Sequence, residues 1–150
     1  SMAEYINEIV KSFQEISKNF FIINYDQNYN SFSIIKSIEI IYGLRNFIGN
    51  ANKFSDGKIF INIKSDDNFT EIIIEDDGEG YPNDVLNIIG EPYIKSIKSS
   101  IKSKSGLGLG IFIGKTLLEK NYANVLCGNS KTKSGAKVSI KWKNKDLLNL

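Results

Sequence analysis

The stretch GLGLGIFIGKT, from Gly106 to Thr116, carries four glycines and closes on Gly-Lys-Thr. It nearly spells two phosphate-binding loops and fits neither. A P-loop, G-x-x-x-x-G-K-[ST], ending at Gly114-Lys115-Thr116 needs glycine at 109, where Leu109 stands. A dinucleotide fingerprint beginning at Gly106-Leu107-Gly108 needs a small residue at 111, where Ile111 stands. What remains is G-x-G-x-G running into an apolar helix, predicted over about Leu107 to Lys120. Gly106, Gly108 and Gly110 leave backbone N–H groups uncovered at that helix start, where unpaired donors and the positive end of the helix dipole favour an anion.

Just upstream, Lys95, Lys98, Lys102 and Lys104 fall in a stretch free of acidic residues, with Ile94, Ile97 and Ile101 at helical spacing. The wider segment around it, about 91–105, reads equally as a lid folding over bound phosphates and as a solvated Ser/Lys-rich linker.

The rest of the chain narrows the choice. Its 150 residues, 41% of them hydrophobic, suit one folded domain with one core. Ser1-Met2 reads as a vector-derived remnant, 3–143 as the domain and 144–150 as a tail. No apolar run reaches the ~18 residues of a membrane span. A lone cysteine, Cys127, excludes internal disulfides and a cysteine zinc cage, and agrees with a reducing compartment. The absence of histidine removes every His-based triad and metal site. A net charge of +2 does not argue for nucleic acid, and none is expected as a partner.

Apolar periodicity predicts a helix from Ala3 to about Lys18 and a second from about Ile34 to Phe54. Strands are predicted at Asn19–Tyr25, Lys58–Lys64, Phe69–Glu75, Ala123–Cys127 and Ala136–Lys143, with a short helix starting near Pro82. The order is α and β mixed, joined by both hairpins and helices. It predicts an α/β two-layer sandwich, a mixed sheet with helices packed on one face.

Two further constellations accompany the glycine run. On the second helix, Asn46, Asn50 and Lys53 lie at i, i+4 and i+7 and share a face. Asparagine is a poor residue for a helix interior, and an amide oxygen beside an ammonium suits Mg²⁺ and phosphate; a solvated polar face explains the same spacing equally well. After the hairpin comes Glu75-Asp76-Asp77-Gly78-Glu79-Gly80-Tyr81-Pro82, where Gly78 and Gly80 allow a flat ligand to approach and Asp77 is placed to accept from an exocyclic amine. Alone, that run reads more simply as an acidic turn.

Together, in this order, they resemble a known family. LRNFIGNANKFS (44–55) is similar to the N box, DDGEGYP (76–82) to the first glycine box, EPY (91–93) to the F-box region and GLGLGI (106–111) to the second glycine box of the ATP-binding domain of sensor histidine kinases, in the GHKL superfamily. GEPYIKS and GLGLGIFIGKTLLEK resemble, more narrowly, the redox-responsive RegB/PrrB type.

The resemblance implies the Bergerat fold, with ATP and Mg²⁺ held between helices and lid. By this likeness Asn50 is the expected Mg²⁺ ligand, Asn46 and Lys53 act at the phosphates, and Asp77 with Gly78 and Gly80 receives adenine. Tyr93, Lys95, Lys98 and Lys102, with Gly106, Leu107, Gly108, Leu109 and Gly110, enclose the triphosphate. One cavity shared by Asn50, Asp77 and Gly108 is therefore expected. Two positions depart from the family pattern: the usual Gly-Thr is Gly135-Ala136, and the Gly-Gly after the last helix is Tyr122-Ala123.

Hydrolases of the superfamily, such as DNA gyrase, MutL and heat-shock chaperones, carry a Glu one turn before the metal-binding Asn. Here that position is Asn46, which cannot take a proton at neutral pH. The resemblance therefore implies transfer to a histidine on a helical dimerisation domain of the same full-length protein, with a response regulator downstream and homodimerisation through the missing domain. It implies a cytoplasmic domain of an inner-membrane sensor. A plain ATPase and a nucleotide-independent interaction module are the alternatives.

Overall fold

The computed structural model describes residues 1–89 and 107–148. Strands β1 (Phe20–Tyr25), β2 (Lys58–Ser65), β3 (Phe69–Asp76), β4 (Asn124–Asn129) and β5 (Ala136–Lys143) form one sheet in the order β1-β2-β3-β5-β4. β1 pairs parallel with β2, and every other pair is antiparallel, so the sheet is mixed as expected. Period-two patterning decides which face is covered. Ile59, Ile61 and Ile63 on β2, Ile72 and Ile74 on β3, and Val138, Ile140 and Trp142 on β5 are buried, while Lys58, Lys64, Lys137 and Lys141 are exposed. The register sets Ile61 opposite Ile74 and Ile72 opposite Ile140, so the isoleucines make one continuous apolar floor.

Helices α1 (Met2–Gln14), α2 (Ile38–Phe54), α3 (Asn83–Ile89), α4 (Leu107–Lys120) and α5 (Asn144–Leu147) complete the fold. α2 starts later than apolar periodicity predicts because Ser37 caps it, its hydroxyl accepting from Ile40 N–H at 3.3 Å. Ile34 instead makes a β-bridge with Leu148, and Ile35 N–H donates to Leu147 O at 2.7 Å. Beyond Lys143 the chain stays in the fold: Leu147 is fully buried, and Asn144 accepts from Thr70 Oγ1 and donates to Asp66 O, both at 2.7 Å. At the other end Met2 is buried in the core and Ser1 caps α1.

α2 and α4 run antiparallel in close contact. A Cβ on Gly43 would lie 2.6 Å from Leu118 Cγ, one on Gly114 3.0 Å from Phe47 Cε2, and one on Gly110 3.4 Å from Asn50 Nδ2. Gly114 is therefore a packing residue inside α4. Lys115 beside it pairs with Glu119 at 3.2 Å, so Gly-Lys-Thr is one helical turn rather than a phosphate loop.

Candidate functional site

The antiparallel crossing brings the first turn of α4 beside Asn50 near the end of α2. Asn50 Nδ2 is buried with no hydrogen-bond partner among the described residues. An unpaired buried donor costs about 1–3 kcal/mol, so an absent acceptor is the natural explanation. The neighbouring backbone supplies the complementary chemistry. Leu107, Gly108, Leu109 and Gly110 make the first turn of α4, whose N–H groups lack intrahelical partners. A ligand seated there meets donors from both helices.

The cleft under Asn50 is lined by Phe47, Ala51, Phe54, Ile74, Asp76, Gly80, Tyr81 and Val138, and encloses about 340 Å³ of free space counting its open mouth. Asp76 supplies its charge. This carboxylate is 3% exposed, and its Oδ1 accepts from Gly78 N–H at 2.9 Å and Ala136 N–H at 3.4 Å. A Cβ at Gly78 would collide with Phe54 O and one at Gly135 with Asp76, so both glycines are required by close approach. Burial raises the Asp76 carboxyl above the ordinary aspartate value, the two N–H donors pull it back, and Asp77 and Asp56 add to the rise. A half-compensated carboxylate facing a cleft is poised to accept from a ligand.

Asp77, expected in this role, is elsewhere. Its Oδ1 accepts from three successive backbone groups, Asp56 N–H at 2.8 Å, Gly57 N–H at 3.2 Å and Lys58 N–H at 3.1 Å. Those bonds tie it to the turn between α2 and β2, and the carboxylate that shares a cleft with Asn50 is Asp76 instead. Side-chain alternation is the reason: Ile72, Ile74 and Asp76 share the inward face of β3, and Asp77 lies past its end. Tyr81 is also part of the cleft, 7% exposed, and sequence reasoning missed it as well as Asp76. The turn is held on its far side by Asn129, whose Oδ1 accepts from Tyr81 N–H at 2.7 Å. Gly80, at φ 83°, lies so close that a Cβ would sit 2.7 Å from Asn129 Oδ1.

The other expected residues divide. Asn46 faces α4 one turn before Asn50, but opens onto a separate groove of about 650 Å³, its open mouth likewise counted, with Phe13, Tyr42, Arg45, Ile113 and Leu117, and its Nδ2 donates to Tyr42 O at 2.9 Å. That groove is larger, yet among the described residues it holds no carboxylate and no unpaired buried donor. Lys53 is exposed, with Nζ 5.3 Å from the Phe54 ring centre. Arg45 donates to Ser12 Oγ at 3.0 Å and covers Phe13, which ties it to α1. Tyr93, Lys95, Lys98, Lys102, Gly106 and the 91–105 segment lie outside the described residues.

Residues 36–146 match the family model described as histidine kinase-, DNA gyrase B- and HSP90-like ATPase. The chain belongs to this family. Among curated relatives of the family it is 38% identical over 103 residues to the sensor histidine kinase RegB of Cereibacter sphaeroides, a match covering 65% of this chain and 22% of that protein. It is 25% identical over 147 residues to a putative NtrY-like sensor histidine kinase of Rickettsia prowazekii, covering 95% of this chain and 23% of the relative. The chain thus spans under a quarter of the length of these two relatives. Among solved structures, the catalytic domain of histidine kinase ThkA superposes with a TM-score of 0.71 at 18% identity, covering 95% of this chain and 91% of that one. Full-length ShkA in complex with AMPPNP superposes with a TM-score of 0.70 at 18% identity, covering all of this chain (100%) and 31% of that one.

In this ATPase family the fold alone does not select a reaction. The donor set here fits a nucleotide. A buried carboxylate matches an exocyclic amine, an unpaired amide and a helix start match phosphate oxygens, and an amide oxygen on α2 is a hard ligand of the type Mg²⁺ takes beside phosphates and waters.

Proposed function

We propose that this domain binds Mg-ATP and donates its γ-phosphoryl group to a histidine on a separate helical dimerisation domain, as the catalytic part of a two-component sensor kinase. The observation that carries the reading is a single cleft lined by both the Asp76 carboxylate and Asn50, whose unpaired amide nitrogen lies beside Gly110 in the first turn of α4. Asp76 accepts from the adenine amine, and its two backbone N–H donors keep the carboxylate aimed at that edge. Asn50 donates Nδ2 to a phosphate oxygen and presents Oδ1 toward the metal. The first-turn amides of α4 neutralise charge on the triphosphate, with Lys53 on α2 one turn beyond Asn50. Mg²⁺ held at the Asn50 amide oxygen would supply further charge neutralisation on the triphosphate.

Asn46 favours transfer over hydrolysis. Its amide already donates to Tyr42 O and cannot accept a proton at neutral pH, so nothing at that position activates water. An imidazole needs no such help, because its neutral form is well populated near pH 7. This chain has no histidine, so the phosphoacceptor belongs to the remainder of the full-length protein, which we place at the inner membrane with a response regulator as the final acceptor. Radiolabelled ATP mixed with the domain and a His-bearing helical fragment tests this. Label should pass to the fragment while phosphate release by the domain alone stays near background. Steady phosphate release without the fragment would instead assign a plain ATPase.

A further inference from the structure

Asp77 joins two parts of the molecule that carry different halves of the cleft. Its side chain sits in the glycine turn that presents Asp76, and its Oδ1 gathers the backbone N–H groups of Asp56, Gly57 and Lys58, at 2.8, 3.2 and 3.1 Å, just past the end of α2. α2 is the helix that carries Asn50. The same junction is tightened by Gly78, where any side chain would strike Phe54 O in the last turn of α2. Behind it, Ser134 Oγ donates to Asp77 O at 3.3 Å and Gly135 N–H to Asp76 O at 3.0 Å, which anchors the turn to the β4–β5 connection. Three donors converging on one carboxylate oxygen are charge-assisted and stronger than neutral bonds. Remove that oxygen and three consecutive N–H groups lose their acceptor, which leaves the Ile59–Asp76 ladder pairing and the close approach of Gly78 to Phe54 O to hold the end of α2 against the turn.

We propose that Asp77 is a positioning residue that sets the distance between the Asp76 carboxylate and the Asn50 amide, and so decides whether one ligand can engage both. This rests on the nucleotide reading above and adds to it a role for a side chain that does not touch the ligand. It requires only an acceptor oxygen at Oδ1, so asparagine serves and alanine does not.

The test is calorimetric titration of Mg-ATP into the folded domain for wild type, Asp77→Asn, Asp77→Ala, Asn50→Ala and the Asp77→Ala/Asn50→Ala pair, with near-UV circular dichroism confirming that each is folded. Asp77→Asn should bind within about threefold of wild type. Asp77→Ala should bind at least tenfold more weakly, and the pair no more weakly than the worse single variant, because both remove the same engagement at Asn50. A residue that merely stabilises the fold would give losses that multiply in the pair. That multiplicative outcome overturns the proposal, as does an equal loss in Asp77→Asn and Asp77→Ala, which would mark a direct contact through the charge. Should Asp77→Ala not fold, Asp77→Ser takes its place, since the shorter hydroxyl cannot span three donors, with the same expectations. A wild-type domain that binds no Mg-ATP overturns the nucleotide reading itself and this inference with it. Binding that is intact in wild type and in Asp77→Ala, yet lost in Asn50→Ala, overturns the inference alone.

Discussion

Gly110 faces Asn50 so directly that a Cβ added to the glycine would sit 3.4 Å from the amide nitrogen Nδ2, a buried atom with no partner among the described residues. The start of α4 and the end of α2 therefore share one unmet hydrogen-bonding need, and a ligand with acceptor oxygens satisfies both. Asn50→Ala removes an unpaired buried donor, so the ligand-free domain should melt no lower than wild type, while Mg-ATP affinity falls at least tenfold. Thermal melts with and without Mg-ATP read both effects: wild type should gain stability with nucleotide by mass action, and the variant should gain less at the same nucleotide concentration.

Asp76 gives a pH signature. Burial raises its carboxyl in the folded state, so the fold binds that proton more tightly than the unfolded chain does. Its contribution is full below the unfolded aspartate value of about 3.9 and is lost as pH rises through the folded value. Above that folded value the ligand-free domain carries an ionised, partly desolvated group. Asp76→Asn keeps an oxygen for Gly78 and Ala136 and should be more stable than wild type in urea at pH 7, with the difference shrinking toward pH 4. A stability gap independent of pH would contradict the assignment of the shift to this side chain.

The helix that follows the glycine run tests the rejected P-loop. Lys115 pairs with Glu119 at 3.2 Å within α4. Lys115→Ala should leave Mg-ATP affinity within about twofold of wild type and cost well under 1 kcal/mol, as exposed helix pairs do. A collapse of binding would restore the P-loop reading. Gly114→Val, by contrast, forces branched atoms against Phe47 and Asn46 and should destabilise by about 1–3 kcal/mol through overpacking.

Tyr122 ends α4 with φ 72°, in the left-handed region, and is 71% exposed. Its N–H donates to Glu119 O at 3.0 Å and that of Ala123 to Leu118 O at 3.0 Å, a cap that glycine usually provides. Tyr122→Gly relieves the backbone strain, loses little packing, and should stabilise by about 1 kcal/mol, or 2–4 °C in Tm, without changing nucleotide affinity. Differential scanning calorimetry decides it.

Much of this architecture is legible in the chain. β2 and β5 declare themselves by strict alternation, because a half-buried strand enforces period two, and α4 keeps its predicted limits from Leu107 to Lys120. The start of α2 is not read correctly, because Ile34 and Ile35 satisfy helical periodicity while the capping hydroxyl of Ser37 and the pairing with Leu147 and Leu148 hold them extended. The exchange of Asp77 for Asp76 has a plainer cause. Two adjacent aspartates offer the same chemistry, and only the parity set by Ile72 and Ile74 tells which one turns inward. The fit of Gly135 against Asp76 is beyond sequence reasoning, since the residues are brought together by the β3–β5 pairing.

In the proposed function Asp76, rather than its neighbour, accepts from the purine in the cleft it shares with Asn50. Titration of Mg-ATP into wild type, Asp76→Asn and Asp77→Asn separates the two carboxylates. Wild type and Asp77→Asn should bind measurably, and Asp76→Asn should lose about 10–100-fold, the range expected for a lost hydrogen bond to a buried charged group. Binding that survives in Asp76→Asn and disappears in Asp77→Asn would contradict it.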